Sequence, residues 1–354
     1  MIDCDVSSYS KFLLRFAKAH RIPLSAQLEL TAHCNFNCRM CYIHMDDKHI
    51  KELGQELTTD EWLRICREAK KAGTLYLSLT GGEIFTRPDF QELYSKLSEM
   101  GFLITLMTNA SLIDEKVMSW LKKRPPYVIR ITLYGSNNDI YRSVCQVENG
   151  FSRVDKALTL LQDANIPVAL SSVVIKNNVD DLLEMHRYAF EHKLKLNATK
   201  GICKPVRGAS SEASSVRIEP YLEEYNNPDH IHLKKLVDGH GPYPHGPNYL
   251  MECGPYGSTF TVTWNGHMSW CGFLSNPYVN LKTCSVDEAW KKLMEISSKI
   301  HKPEACNNCK YEEYCLRCPG VLSAECGSYE TVSEDFCQRA KRLYFLYNGV
   351  KRED

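Results

Sequence analysis

The sequence predicts an α/β fold: an open, partial (β/α)6 barrel followed by a cysteine-rich C-terminal domain. Three observations predict it. Between residues 25 and 200, six short apolar, β-branched runs alternate with amphipathic stretches, a pattern that demands parallel strands joined by crossovers on one side. Cys34, Cys38 and Cys41 crowd into eight residues directly after the first run, at the strand end where such folds gather their chemistry. Nine of the sixteen cysteines lie between Cys253 and Cys337, which marks a second, metal-rich region.

Residues 1–24 read as a short helical lead with an apolar patch at Phe12, Leu13, Leu14 and Phe16, too short for a separate recognition domain. The barrel occupies 25–200, with strands expected at 26–30, 75–79, 102–107, 128–134, 167–175 and 194–199. Thr58 and Glu61 form a capping box that opens a helix from Trp62 to Lys71, and Gly73 stands where a C-cap belongs. Leu158, Leu160 and Leu161 lie in another helix that ends near Asn165, ahead of Pro167. Residues 201–250, with Pro205, Gly208, a serine-rich segment and a His-Gly-Pro run from Gly239 to Pro247, read as a linker with one helix at 218–226. The cysteine-rich domain spans 251–340. A helix over 333–347 closes the chain, with 341–354 as its end and tail.

The apolar content of 44% over 354 residues supports ordinary globular cores. Lys plus Arg (43) balance Asp plus Glu (43), so no global field favours nucleic acid or a membrane surface. The polar, acidic start resembles no secretory signal, and no apolar run reaches spanning length, so a cytoplasmic location without membrane contact is expected. In that reducing compartment so many cysteines point to metal rather than disulfides.

The spacing Cys-x3-Cys-x2-Cys can place three thiolates on one face of a cubane iron-sulfur cluster, leaving one iron open to a small molecule. A zinc site completed by His33 or His44 is the plainer alternative, as is simple core packing. After the second strand, Thr80-Gly81-Gly82-Glu83 combines two glycines that allow close backbone approach to a ligand with a carboxylate suited to an ammonium group. Thr108-Asn109 and Thr132 to Gly135 offer polar groups at later strand ends. Cys203, just past the sixth strand, is placed to return a hydrogen atom to a substrate radical, against the plainer reading of a packed thiol. Cys4, Cys66 and Cys145 read as ordinary surface or core thiols.

With these residues the chain resembles the radical SAM enzymes, Cys34, Cys38 and Cys41 standing on the family's cysteine motif and Gly81, Gly82 and Glu83 on its methionine-amine motif. The resemblance implies a six-stranded partial barrel whose 4Fe-4S cluster holds S-adenosylmethionine on the fourth iron. One electron then yields a 5′-deoxyadenosyl radical that abstracts hydrogen. It also implies that Asn109 and Thr132 face the ribose or methionine, that Arg142 meets the carboxylate, and that Met40, where an aromatic residue is commoner, packs on the adenine. The C-terminal region resembles the family's SPASM extension. That resemblance implies one auxiliary 4Fe-4S cluster on Cys306, Cys309, Cys315 and Cys337 and another on Cys253, Cys271 and Cys318. The spacing before Cys318 departs from the pattern, leaving Cys284 or Cys326 to complete the second set. Read without the barrel motifs, Cys306 to Cys318 is equally a zinc knuckle.

SPASM-bearing relatives mostly modify peptides, so the expected substrate is a ribosomally made precursor peptide and the expected product a thioether, C–C or C–O crosslink. The expected partners are that peptide, a separate leader-binding protein and a reductant such as ferredoxin or flavodoxin. The sulfatase maturases, which make formylglycine, place an aspartate where this chain has Gly272. That lowers their standing as an alternative, and peptide epimerisation is a third option. A non-catalytic iron-sulfur or zinc-stapled scaffold is the alternative from another class.

Overall fold

The computed structural model describes residues 6–199, 201–218, 256–315 and 318–348. A leading helix α1 (Val6–His20) precedes six strands, β1 (Ser25–Glu29), β2 (Tyr76–Thr80), β3 (Leu103–Thr108), β4 (Val128–Thr132), β5 (Val168–Val173) and β6 (Leu196–Thr199). Every neighbouring pair in the order β6-β5-β4-β3-β2-β1 is parallel, and the sheet stays open. The crossovers carry α2 (Asp47–Leu53), α3 (Thr59–Lys71), α4 (Phe90–Glu99), α5 (Glu115–Leu121), α6 (Asn138–Cys145), α7 (Gly150–Asp163) and α8 (Leu182–Glu191).

Alternation along the strands decides which face does what. Leu28, Leu77, Leu79, Ile104, Leu106, Ile129, Ile131 and Leu170 are buried on the helix-facing side. Their neighbours Gln27, Ser78, Thr105, Arg130, Thr132 and Ser171 therefore lie on the concave side, because successive strand residues point to opposite faces. The helices cover the apolar side with residues such as Trp62, Leu63, Ile65 and Cys66 of α3 and Leu158 and Leu161 of α7. A fully buried side chain of this size is worth about 1.5–3 kcal/mol, so this face holds the barrel together and leaves the other free for a ligand.

Local chemistry sets the helix ends. Thr58 and Glu61 form both halves of the capping box, and Gly73 beyond the helix has φ +108°. Three expected strands, over 128–134, 167–175 and 194–199, run past the observed ladders. Leu133 and Val174 are buried, yet they sit in the loops that leave the strands.

The cysteine-rich region joins the same sheet. β7 (Thr259–Val262) pairs in parallel with β1, and β8 (His267–Ser269) and β9 (Val279–Asn280) follow in antiparallel order. Three helices complete it, Val286–Ser297, Pro319–Cys326 and Glu334–Asn348, the last close to the expected closing helix. A short helix α9 (Ala213–Val216) lies within the serine-rich stretch, whereas the helix expected at 218–226 falls almost wholly outside the described residues. No helix among the described residues is long and apolar enough to cross a membrane.

Candidate active site at the strand ends

The loop after β1 carries Cys34, Cys38 and Cys41 and is held from three sides. Glu56 accepts from the Thr31 hydroxyl at 2.7 Å and the Ala32 amide at 2.8 Å, while Arg87 donates to Leu30 O at 2.7 Å and Leu57 O at 2.9 Å. The turn after β2 donates from Gly82 N to Thr31 O and from Glu83 N to His33 O, both at 2.8 Å. The C-terminal end of α6 accepts from the amides of Asn37 and Arg39 through the carbonyls of Cys145 and Val144, at 3.1 and 3.0 Å. A loop with its amides so engaged presents its side chains in one fixed arrangement.

The three thiols lie close enough to interact electrostatically. Burial, then the neighbouring Cys38, pushes the Cys41 thiol up to about 12, and burial likewise raises that of Cys34. Such thiols ionise when a metal takes the proton's place, which is the chemistry an iron-sulfur cluster offers. No three His, Cys, Asp or Glu side chains among the described residues converge as a single ion requires. A cubane binds one thiolate at each separate corner, so its ligands are spread more widely than those of one ion. The loop's donor set fits that group.

The two glycines after β2 let the turn press against the cysteine loop. A Cβ on Gly82 would lie 2.1 Å from His33 O, and one on Gly81 would lie 2.5 Å from Thr31 O. The close approach they permit is thus to the cysteine loop's own backbone. Glu83 is fully buried, and its carboxylate accepts from the Thr108 hydroxyl at 2.7 Å, Asn109 N at 2.8 Å and Phe85 N at 3.2 Å. Burial raises its pKa against the opposing effect of these donors. Asn109 donates in turn to Asn35 Oδ1 at 3.0 Å, and Ser111 bridges the two. Glu83 and Asn109 therefore tie the ends of β2 and β3 to the cysteine loop, with Thr132 half-buried at the end of β4.

One expected residue is turned away from this cluster of strand ends. Arg142 lies half-exposed on α6, held by Glu148 at 2.6 and 2.7 Å and by Asp139 at 2.7 Å, because those acids flank it on the outer surface. Met40 is 5% exposed and packs into the main core, so its thioether is already covered by the protein. Cys203 is 2% exposed beside Glu325 and Arg217, and burial raises its thiol to about 12.

In the C-terminal region Cys337 stands within electrostatic reach of Cys306 and Cys309, so three members of one expected auxiliary set come together. Cys315 and Cys318 are half-buried nearby in sequence, and Cys253 lies outside the described residues. Cys284 is occupied on the surface by Glu288 and Lys292, and Cys326 is exposed.

The sequence reading missed a buried ion pair. Glu29, 1% exposed at the end of β1, accepts both oxygens' worth of Arg207 contact at 2.9 Å, and Arg207 also donates to Gly272 O. A Cβ on Gly272 would stand 3.1 Å from Glu29 Oε1 and 3.5 Å from Tyr42 Oη, so the carboxylate of β1 fills the space beside Gly272. The available signal was an acid inside the apolar run of the first strand.

Comparison with known proteins agrees with this construction. Residues 28–189 match the Radical SAM superfamily. The chain is 24% identical over 335 residues to the AdoMet-dependent heme synthase of Methanosarcina barkeri, covering 87% of this chain and 94% of that protein. It is 29% identical over 163 residues to the PqqA peptide cyclase of Granulibacter bethesdensis, a match covering 46% of this chain and 43% of the cyclase, less than half its length. The fold is similar to that of SuiB from Streptococcus suis, with TM-score 0.67, 18% identity and coverage of 94% of this chain and 83% of SuiB. SuiB has also been solved bound to S-adenosylmethionine and to the precursor peptide SuiA. The three-cysteine loop, at the first strand end of a parallel half-barrel, lies within the segment that matches the Radical SAM superfamily.

Proposed function

We propose that this enzyme oxidises a ribosomally made precursor peptide, forming a thioether, C–C or C–O crosslink, with its 4Fe-4S cluster held by Cys34, Cys38 and Cys41. The observation that carries the reading is the cysteine loop clamped against the Gly81–Glu83 turn at the mouth of an open barrel. The bound cluster supplies an open iron for S-adenosylmethionine and the electron that releases the 5′-deoxyadenosyl radical.

In this reading the protein's own part is positional. The Gly81–Glu83 turn receives the methionine end, its shape fixed by the buried Glu83 carboxylate on Thr108 and Asn109. Asn109 and Thr132 supply polar contacts to the nucleoside. The concave face beyond them is rich in uncharged polar groups, and the exposed Arg130 side chain there has no ion-pair or hydrogen-bond partner among the described residues. A substrate carboxylate would find a partner there. Among the described residues β6 is the last strand of the sheet, and an extended peptide would enter along that edge. Cys306, Cys309, Cys315 and Cys337 would hold one auxiliary cluster and Cys271 and Cys318 part of another, giving electrons from a net oxidation a route out. Ferredoxin or flavodoxin would act as the reductant, and a separate carrier protein would present the leader.

The heme synthase match, which spans most of both chains, favours a second reading in which the substrate is a heme precursor. Anaerobic reconstitution followed by assay against both classes separates them. Loss of two hydrogen atoms from a peptide encoded by a short neighbouring reading frame, seen by mass spectrometry, supports the first. Conversion of an iron tetrapyrrole precursor with no change in any such peptide supports the second and overturns the first. Iron content of about twelve per chain fits three clusters, and about four leaves only that of the barrel.

A further inference from the structure

The parallel register sorts the concave side of the sheet into rows. Met107 of β3 stands opposite Arg130 of β4, and Arg130 stands opposite Ala169 of β5, so the neighbours of this guanidinium along its row are a thioether and a methyl group. Two residues further along β4, Thr132 stands opposite Ser171, which in turn pairs with Asn197 of β6. Three strands away, Glu29 of β1 stands opposite Thr80 of β2. Of these residues only Arg130 and Glu29 carry a charge.

The two charges do not serve one another. Both Glu29 oxygens accept from Arg207 at 2.9 Å, and Glu29 is 1% exposed. Arg130 is exposed and has no ion-pair or hydrogen-bond partner among the described residues. β4 lies between β3 and β5, so this side chain leaves an inner strand and not an edge, where cations ordinarily guard against pairing with other sheets. The packing of β4 rests on Ile129 and Ile131, buried on its other face. A guanidinium is always charged, is weakly hydrated, and is shaped to take both oxygens of a carboxylate. With no second cation in its row, it matches a singly charged anion better than a phosphate ester, which brings nearly two charges and three acceptor oxygens.

We propose that Arg130 is a specificity-determining residue that binds a carboxylate of the substrate, one row below the nucleoside. The inference rests on the proposed function in placing the substrate on the concave face and the nucleoside at Thr132. On that face Thr132 lies ~7 Å nearer the strand end, two strand residues of about 3.3 Å each. The reacting atom and the carboxylate are therefore held about a side chain's length apart. A peptide substrate carries its Asp or Glu at the reacting residue or next to it, and a tetrapyrrole substrate presents a propionate. The chemistry that Arg130 recognises is the same in both.

The test is a coupling cycle on the anaerobically reconstituted full chain, with kcat and KM measured for two probes: the peptide encoded by a short neighbouring reading frame, and an iron tetrapyrrole with free propionates. Each has a neutral counterpart, the peptide with its acidic residues changed one at a time to Asn or Gln, and the tetrapyrrole as its methyl ester. With whichever probe is turned over, Arg130→Gln is expected to raise KM by about tenfold or more, as the loss of a hydrogen bond between charged groups does, with a smaller change in kcat. The neutral counterpart should show the same loss with the wild type and no further loss with Arg130→Gln, and Arg130→Lys should recover part of the affinity. A rise in KM from Arg130→Gln that is as large for the neutral counterpart as for its parent would overturn the proposal. So would a wild type that uses both equally well, a comparison that needs no protein variant and decides alone should Arg130→Gln fail to load iron. Turnover of the tetrapyrrole alone, with its propionate coupled to Arg130, would overturn the peptide reading and support the carboxylate site, whereas turnover of neither probe would overturn both.

Discussion

The Glu83 carboxylate accepts the Thr108 hydroxyl at 2.7 Å, a bond that fastens the turn after β2 to the end of β3 without touching solvent. With Asn109 N on its other oxygen, Glu83 fixes the wall against which the cysteine loop lies. Removing it strands two buried donors. Glu83→Ala is expected to lower unfolding stability by about 2–4 kcal/mol, since each buried unsatisfied group costs ~1–3 kcal/mol. Denaturant titration of wild type and variant measures this, and a loss under half a kcal/mol, roughly the scatter of neutral surface changes, would count against the role given to Glu83.

Gly82 tests the seat of the loop itself. Its Cβ would meet His33 O at 2.1 Å, a backbone atom that no rotamer change can move. Gly82→Ala should push the cysteine loop away and cut iron and sulfide uptake on reconstitution. Gly54, which has open space around it, provides the control: Gly54→Ala should load iron normally despite its positive φ.

Arg207 holds Glu29 in a nearly dry environment, and breaking such a pair costs about 3–5 kcal/mol because the remaining charge is left unpaired. Arg207→Met should destabilise by that amount near neutral pH, and adding Glu29→Gln should recover most of it. The pH dependence follows from the sign of the shift. Burial already raises the Glu29 pKa above 4.5, and without Arg207 the folded state would hold that proton still more tightly than the unfolded one. The variant's stability should therefore be best preserved at acid pH and fall as pH rises from about 5 towards the raised folded value, the opposite of a salt-bridged carboxylate. Unfolding curves at several pH values check this.

Arg142 is bound by surface acids, so its substitution should matter little. Arg142→Ala is expected to change S-adenosylmethionine affinity by less than about threefold and to leave stability essentially unchanged, because exposed ion pairs contribute little. Equilibrium binding to the reconstituted protein gives the answer. A loss of tenfold or more would mean that the side chain leaves Glu148 to meet the ligand.

Much of the site could be read from the sequence because its signals are local. The three cysteines span eight residues, the capping box spans four, and strand alternation repeats every two, so each is written in a short window. What escaped reading depends on contacts between distant segments. Glu29 and Arg207 are 178 residues apart and meet only in the folded chain. The grip of the α6 carbonyls on the amides of Asn37 and Arg39 is equally hidden, because nothing near Cys145 in the chain reveals it. Arg142 is reached by motif position, which fixes the backbone site but not the direction in which the side chain leaves it.

The most direct measurement is 5′-deoxyadenosine formation from S-adenosylmethionine under dithionite, comparing the reconstituted wild type with a variant in which Cys34, Cys38 and Cys41 are all alanine. The account predicts turnover by the wild type and only background from the variant. Undiminished cleavage by the variant would contradict it.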